Sequence, residues 1–535
     1  MKGKFRLGIS MLCLLMVVAA GCQSVGGLEL NSMISKALKA ETKESRGSIA
    51  LNVDFAPEAY EGMTDRERQQ MDLLRDLRLR IDSAKVESAT RSSVNGALLI
   101  GGKGIGFSIQ QDELKAVMRV DGLKRPIVLS LDEASLLNLG SDVASGASLE
   151  DLASEASELV VSGETPAATA EQQAQFGRKL VDRVGGYLIS NLPNASGLDV
   201  KPVSEDVYGG GKAMWQVDAG WNGMEMFDWA HAYVKALLAD SQGLNAMLDG
   251  LFEALQEHPE MNALNEDGEP LQDGDKESFI ADGNETLNEI LQDAAESMQE
   301  VREEGGLEEM FTPASALKVH LMLDGSLDIR KLDASLTWQP GPAMAEEDEF
   351  PIRSVSLRVQ MDSWNVDGPV RADRPEVASD SWDLTRWMES GPSRLLRDFD
   401  KNSDAYKLLK NELQAGKQSA VFYSDGYQSL ISMPSGQTLV PLRSLTSSLD
   451  ASVTYDGARK KWKIYDEAKG NTIWIATGSK VAYVGGVKSQ LSFPPTVVDG
   501  TLFVPARDFA KLLKASVSVE KDSYYYSVEI AREVG

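Results

Sequence analysis

The chain has 535 residues, a formal net charge of −27 and 42% hydrophobic residues. So acidic a chain is not expected to bind nucleic acid, because neutralising phosphate groups requires clustered lysine and arginine. The hydrophobic content suits ordinary packed cores, and the length predicts about three domains.

The amino-terminal segment has the pattern of a secretory signal peptide. Basic residues at positions 2, 4 and 6 precede an apolar run over residues 7–20, which ends in small residues. This run is shorter than the ~20 residues that a transmembrane helix needs. We therefore predict a signal peptide over residues 1–21 that is removed from the mature chain.

The residues at the predicted cleavage site resemble the lipobox of bacterial lipoproteins. They are Ala19-Ala20-Gly21-Cys22, with Ala19 in place of the commoner leucine. The resemblance implies a diacylglyceryl group on the Cys22 thiol, whose fatty acyl chains, such as palmitate, hold an extracytoplasmic protein at the bacterial cell membrane. Two chains are needed for a stable anchor, because one gives only reversible binding. The alternative is an ordinary cleaved signal with a chance cysteine.

The body after Cys22 is predicted to be tethered to the membrane without crossing it. The other cysteine, Cys13, lies in the removed peptide, so the mature chain has no thiol pair for a disulfide or a cysteine metal site. No later run reaches the ~18 apolar residues of a transmembrane candidate. Residues 22–30 are predicted to be the tether, and a helix is predicted from about Leu28 to Glu44.

A period-two pattern predicts an antiparallel sheet over residues 31–370. Ile49, Leu51 and Val53 alternate with small or polar residues, as in a strand with one buried face. The pattern recurs over residues 77–81, 97–100, 105–109, 114–120, 317–323, 327–338 and 355–361. Asp324-Gly325 between two of these runs predicts a hairpin.

A helical insertion is predicted at about 145–312, between the two groups of strands. Apolar residues recur every three or four positions within 176–192, 244–255 and 287–301, which is the period of amphipathic helices. The predicted fold class is therefore α+β, with an antiparallel curved sheet and a helical insertion. A linker at 371–417, containing a short helix, is predicted to lead to a separate domain.

That last domain, 418–535, contains a repeat. Residues 436–443 read GQTLVPLR and residues 500–507 read GTLFVPAR, an offset of 64 residues (500 minus 436). The same offset relates Leu449 to Leu513, Trp462 to Tyr526 and Ile464 to Val528. The repeat predicts a small α+β domain built twice from a strand, a helix and two strands.

These residues resemble the copper amine oxidase N-terminal-like domain, over roughly Ser419 to Ile530. The resemblance implies a non-catalytic stalk module of the kind found in bacterial surface proteins. Pro441 and Pro505 are expected to set the backbone before each helix. Arg443 and Arg507 are expected either to pair locally or to contact a partner.

The resemblance brings no copper or quinone chemistry to this chain. Amine oxidation needs three converging imidazoles, usually with a His-x-His pair, and an Asn-Tyr motif for the quinone. The chain has three histidines, His231, His258 and His320, and neither motif. We therefore expect no metal and no cofactor. Asp450 and Lys514, at the two predicted helix ends, stand where the family usually has glycine.

Other candidate patterns have structural interpretations. His231 lies on an apolar helical stripe and is expected in the core, and His320 is expected to face solvent from a strand. The glycine-rich residues 101–106 lack the Lys-Ser/Thr of a phosphate loop, so a hairpin turn is expected. The acidic residues around 400–404 and 273–277 lack the glycine of a calcium loop. Common hydrolase motifs are missing, so we do not expect an enzyme.

Three hypotheses of function follow. The first is a non-catalytic, membrane-anchored envelope lipoprotein whose carboxy-terminal domain is an interaction or structural module for cell-wall polymer or surface proteins. The second is a carrier, because the amino-terminal region loosely resembles lipid-carrying lipoproteins, in which a curved sheet wraps an apolar ligand against helices. The third is a cell-wall hydrolase, for which two carboxylates would suffice, although nothing in the sequence identifies a pair.

Overall fold

The structure is a computed structural model that describes residues 30–131, 170–195, 197–258, 272–303, 305, 307, 312–341, 352–384, 387, 391–424, 430–521 and 526–535. The chain divides into two compact units, Met1–Val120 with Pro126–Thr385, and Asp121–Arg125 with Arg386–Gly535. The division falls inside the segment 371–417 that sequence analysis predicts to be a linker. The predicted signal peptide, Cys22, the tether before Leu30 and the first part of the insertion lie outside the described residues.

The first unit contains a twelve-stranded sheet. Its strands are β1 (Lys43–Phe55), β2 (Asp76–Ser88), β3 (Arg91–Ile100), β4 (Lys103–Gln111), β5 (Lys115–Val120), β6 (Ile127–Ser130), β7 (Asp199–Asp206), β8 (Lys212–Asn222), β9 (Ala316–Leu323), β10 (Ile329–Trp338), β11 (Ile352–Trp364) and β12 (Trp382–Asp383). Their order is β12-β6-β5-β4-β3-β2-β1-β11-β10-β9-β8-β7. All pairs are antiparallel except the edge pair of β12 with β6.

Helices of the first unit precede, follow and interrupt these strands. They are α1 (Leu30–Lys39), α2 (Asp65–Leu73), α3 (Ala170–Leu180), α4 (Gly186–Ser190), α5 (Gly223–Ala239), α6 (Ser241–Glu257) and α7 (Lys276–Glu303), with a π-helical turn at Val181–Gly185 and 3-10 turns at Pro57–Tyr60 and Asp273–Asp275. The predicted α+β class is confirmed. Within the described ranges, no helix combines the length and apolar character needed to cross a bilayer.

The insertion is not wholly helical, which corrects the prediction for residues 145–312. Strands β7 and β8 lie inside it and extend the sheet beyond β9. The sequence does contain the alternation of β8. Val217, Ala219 and Trp221 occupy every second position and are buried on one face of the strand. Because strong helical patterns lie on both sides of this period-two run, the sequence predicts helices for the whole segment.

The second unit contains three smaller sheets with the orders β13-β24-β23, β14-β15-β22-β21 and β16-β17-β18-β19-β20. The strands are β13 (Lys417–Tyr423), β14 (Ile431–Ser432), β15 (Thr438–Pro441), β16 (Ala451–Asp456), β17 (Lys461–Asp466), β18 (Asn471–Ile475), β19 (Val481–Val484), β20 (Val487–Gln490), β21 (Thr496–Val498), β22 (Thr501–Pro505), β23 (Ser516–Lys521) and β24 (Tyr526–Glu533). The helices are α8 (Pro392–Asp398), α9 (Asp404–Lys407), α10 (Leu442–Ser448) and α11 (Ala506–Leu512), with a π-helical turn at Leu408–Glu412.

One face of the large sheet carries continuous apolar rows. Directly paired residues of antiparallel strands point to the same face, so the register shows which side chains share a row. The middle row runs over eight strands, from β8 to β4, through Ala219, Val319, Ala334, Val359, Ile49, Leu79, Leu98 and Ile105. The predicted Asp324-Gly325 hairpin joins β9 to β10 within this register.

The helices cover this apolar face at the β7–β10 end. Their core contains Phe227 and Leu248 from α5 and α6 together with Val319 and Leu336 from β9 and β10. Helix α5 begins at a capping box in which Asn222 and Glu225 satisfy each other's backbone N–H groups. Among the described residues, this helical core includes none from β1–β6 or β11.

The opposite face of the sheet is polar and carries ion pairs. His320 Nδ1 lies 2.7 Å from Asp218 Oδ1. Arg358 donates two hydrogen bonds to Asp333, at 3.0 and 2.7 Å, and these hold the pKa of Asp333 below its usual range. His320 is therefore on the solvent-facing side of its strand, as the alternation predicts.

His231 is buried within helix α5, as its apolar stripe predicts. The residue is only 6% exposed, and in the described part of the protein its Nε2 atom has no hydrogen-bond partner. Burial, helped by the charge of Lys235, lowers the pKa of His231 below its ordinary value. The imidazole is consequently favoured in its neutral form.

Replacing His231 tests this burial through the pH dependence of stability. The unfolded chain binds a proton at His231 near the ordinary pKa of ~6.5, whereas the folded chain binds it only at lower pH. Wild-type stability therefore falls as pH drops below about 6.5, and His231→Leu should weaken that fall in urea midpoints measured between about pH 5 and 7. Phe227→Leu, at a buried position on the same helix, should lower stability equally at every pH. An unchanged slope in His231→Leu would contradict the assignment.

Candidate functional site

The carboxy-terminal repeat folds as two copies that pair with each other. Strand β15 of the first copy runs antiparallel to strand β22 of the second, and Val440 pairs with Val504, its own equivalent at the offset of 64 residues (504 minus 440). Equivalent residues that pair directly in an antiparallel ladder are related by a two-fold axis. The two copies therefore form a pseudo-symmetric module around Val440 and Val504.

The four residues singled out from the sequence lie where each copy changes from strand to helix. Pro441 and Pro505 are buried N-cap residues with extended backbone, at φ −61° and −66°, before α10 and α11. Arg443 and Arg507 lie in the first turns of these helices and are exposed. Each proline thus directly precedes its helix. Neither Arg443 nor Arg507 is buried, so neither lies in an enclosed site.

A residue that sequence reasoning missed joins the two copies. The guanidinium of Arg532 on β24 donates to the carbonyl of Leu449 and, at 3.1 Å, to that of Leu513, which are the C-cap residues of α10 and α11. It also forms an ion pair of 3.0 Å with Asp466 and a hydrogen bond of 2.8 Å with Gln418. Each of the three guanidinium nitrogens of this buried arginine therefore has at least one acceptor.

A signal for Arg532 was present in the alternation of its strand. Val528, Ile530 and Val534 are buried at every second position, and Arg532 occupies the remaining position on that face. A charged residue at a core-facing position must be paired, since burying an unpaired charge is very costly. Which acceptors it would meet depends on chain segments more than 80 residues away, such as Leu449.

The two positions without the family glycine keep the backbone conformation that favours glycine. Asp450 has φ 50° and Lys514 has φ 55°, immediately after the C-caps of α10 and α11. This left-handed region costs a non-glycine residue about 1–2 kcal/mol. Asp450 has a compensating contact, because its carboxylate accepts a hydrogen bond of 2.8 Å from the Ser393 backbone N–H at the start of α8.

In the first unit, the feature most relevant to binding is the apolar face beyond the helices. Val319, under the helical core, is 6% exposed, whereas Ile49 and Leu98 in the same row are 37% and 40% exposed. Between β7–β10 and the helices, the described side chains form a buried apolar core that includes Val319. An open pocket of about 520 Å³ beside α1 is lined by residues that include Ser32, Lys36 and Ile189.

The remaining sequence patterns have structural roles. Gly101 and Gly102, with φ 55° and 72°, form the turn between β3 and β4. Asp400 accepts a hydrogen bond of 2.9 Å from the Asn402 backbone N–H in a turn before α9. Asp275 similarly accepts from the Gln272 backbone N–H at 2.9 Å, before α7. In the described part of the chain, no group of three or more His, Cys, Asp or Glu residues is arranged to hold a metal ion.

Comparison with known proteins confirms the resemblance of the carboxy-terminal module. Residues 427–528 match the family model described as copper amine oxidase N-terminal domain. The match covers this module and none of the first unit. The chain has no match among the curated proteins and none among the solved structures.

The two left-handed positions provide a matched pair of stability tests. Lys514→Gly should raise the free energy of unfolding of the second unit by about 1 kcal/mol, because relief of strain exceeds the added entropy of the unfolded chain. Asp450→Gly should give little or no gain, because it also removes the hydrogen bond to Ser393. Calorimetric unfolding of both variants measures this difference. A destabilised Lys514→Gly would show that the lysine side chain makes an important contact.

Proposed function

We propose that this protein is a non-catalytic envelope lipoprotein, anchored at the extracytoplasmic face of the bacterial cell membrane through lipid on Cys22. The basic residues, apolar run and Ala-Ala-Gly-Cys sequence at the amino terminus support the anchor. The observation that carries the non-catalytic role is the pseudo-symmetric carboxy-terminal module, whose family match is to the copper amine oxidase N-terminal domain. Its buried positions Pro441, Pro505 and Arg532 stabilise the strand-to-helix junctions and the helix ends of the module.

In this proposal the module acts by contact with cell-wall polymer or with other surface proteins. Each copy presents an arginine, Arg443 or Arg507, on the exposed first turn of its helix. The rest of the chain would hold the module at the end of a tether that begins at Cys22. We assign no cofactor, and we propose no enzymatic activity.

The anchor is tested by comparing the two cysteines. Cys22→Ala should abolish incorporation of labelled palmitate and shift the protein out of the lipid-modified membrane fraction, because the acylated thiol is lost. Cys13→Ala removes a cysteine from the predicted signal peptide and should leave labelling unchanged. The measurement is metabolic labelling followed by detergent phase partition. Equal labelling of the Cys22→Ala and wild-type proteins would refute lipid anchoring at this residue.

A second candidate function is supported by the apolar sheet face. The rows that the helices cover at β7–β10 continue over β1–β4, where Ile49 and Leu98 are more than a third exposed. Exposed apolar surface of this kind on a folded protein often marks a binding site. We propose, as the alternative, that this part of the face binds lipid or another apolar ligand.

Co-purified ligand tests the alternative directly. The chain from Gln23 onward should contain extractable lipid in native and denaturing mass spectrometry, and Ile49→Ser with Leu98→Ser should reduce the amount several-fold by making the row polar. Leu114→Ser is the control, because Leu114 is 74% exposed in the turn before β5, outside the row. Absence of lipid from the wild-type protein, or equal loss in the control, would leave the interaction module as the surviving proposal.

A further inference from the structure

The five-stranded sheet of the second unit has an outer face on which aromatic and basic side chains alternate. We call this the aromatic-basic face, and it consists of Arg459, Lys461, Lys463, Trp474, Tyr483 and Lys488. The other face of the same strands is the core, where Ile464, Ile473 and Ala482 are completely buried. The period of two along each strand therefore separates this outer face from the core.

The strand register brings the outer residues into one row. Lys463 on β17 pairs with Trp474 on β18, Trp474 pairs with Tyr483 on β19, and Tyr483 pairs with Lys488 on β20. Directly paired side chains share a face, with Cβ atoms about 4.5–5.5 Å apart. Two rings thus lie side by side with an ammonium group at each end of the row.

Two further cations lie over these rings. The Arg459 guanidinium carbon is 5.3 Å from the centroid of the Trp474 ring, and Lys461 Nζ is 5.3 Å from the centroid of the Tyr483 ring. Such cation–π contacts hold flexible basic side chains over the sheet without neutralising their charge. The charge of Lys461, which forms no ion pair among the described residues, consequently remains available to an anion that approaches the rings.

The charge of this region is opposite to that of the whole chain. Residues 451–490 contain seven lysines and arginines and three acidic residues, a net charge of +4, whereas the chain carries −27. Asp466 is buried against Arg532, and Asp456 pairs with Arg459 at 2.9 Å. In the described part of the protein, Lys461, Lys463 and Lys488 form no ion pair. Three ammonium groups are therefore uncompensated on this face.

We infer that the aromatic-basic face binds a linear anionic polymer of the cell envelope, in which phosphodiester groups alternate with sugar or polyol units. Ammonium groups at the ends of the row neutralise phosphates, and the exposed parts of the Trp474 and Tyr483 rings pack against the C–H surfaces between them. The negative charge elsewhere on the chain would repel such a polymer and confine it to this face. This inference rests on the proposed envelope location and gives the interaction module its partner class.

The test measures binding of poly(glycerol phosphate) to the chain from Gln23 onward at several salt concentrations. Replacing Lys461, Lys463 and Lys488 together with Gln should weaken binding at least about tenfold and lower the slope of log affinity against log salt by about 1–2, because fewer counterions are released. Trp474→Ala should weaken binding with little change in that slope. Lys401, Lys417 and Lys511, exposed elsewhere in the unit, are replaced by Gln as the control of equal charge change.

The outcomes separate the inference from the proposal on which it rests. Loss of binding in the Lys461, Lys463 and Lys488 variant but not in the control supports the face as the polymer site, even if Cys22 proves not to be lipidated. Equal loss of polymer binding in both triple variants would show that binding depends only on net charge, and would contradict the assignment of this face as the site. Stronger binding to single-stranded DNA than to poly(glycerol phosphate), or equal binding to uncharged dextran, would overturn the polymer class. Circular dichroism confirms that each variant is folded.

Discussion

The large sheet depends on burial of its single apolar face. Side chains alternate along every strand, so a slip of one residue in any pair would place a whole strand's apolar set on the polar side. The row from Ala219 to Ile105 is continuous over eight strands because the register shifts of these pairs lie away from it along the strands. Helices α5 and α6 cover one end of the face. At the other end, over β1–β4, Ile49 and Leu98 expose apolar surface. The partner or ligand that covers this surface would determine the function of the first unit.

The second unit depends on a single unduplicated residue. Helices α10 and α11 have seven residues each, too short to be stable alone, so their ends must be held by tertiary contacts. Arg532 donates hydrogen bonds to the last carbonyl groups of both helices. The equivalent position in the first copy, 64 residues earlier (532 minus 64), is Ala468. The pseudo-symmetry of the module is therefore broken at its centre. Removing one partner of the buried pair with Asp466 would cost about 3–5 kcal/mol, which makes this arginine a residue of folding and not of binding.

Charge is distributed unevenly over the protein, and this distribution connects fold to function. An acidic chain near a membrane or a wall rich in phosphate is repelled from both except where basic residues are concentrated. The aromatic-basic face is such a place, and its row of side chains across neighbouring strands suits an extended polymer better than a small molecule. The lipid proposed at Cys22 and the polymer proposed at this face would give the protein two attachments of different chemistry, one apolar and one ionic.

The sequence by itself determined the features that depend on near neighbours. The α+β class, the Asp324-Gly325 hairpin, the buried stripe of His231 and the duplicated Val-Pro segments that start α10 and α11 were all readable, because local periods and turn residues act within a few positions. Only the tertiary structure decided the rest. Strand β11 lies between β1 and β10, and Arg532 meets Leu449 and Leu513, because segments that are not adjacent in the sequence pair in one register. The local alternation indicates which face of each strand is buried, but which strands become neighbours depends on burial of the whole sheet face.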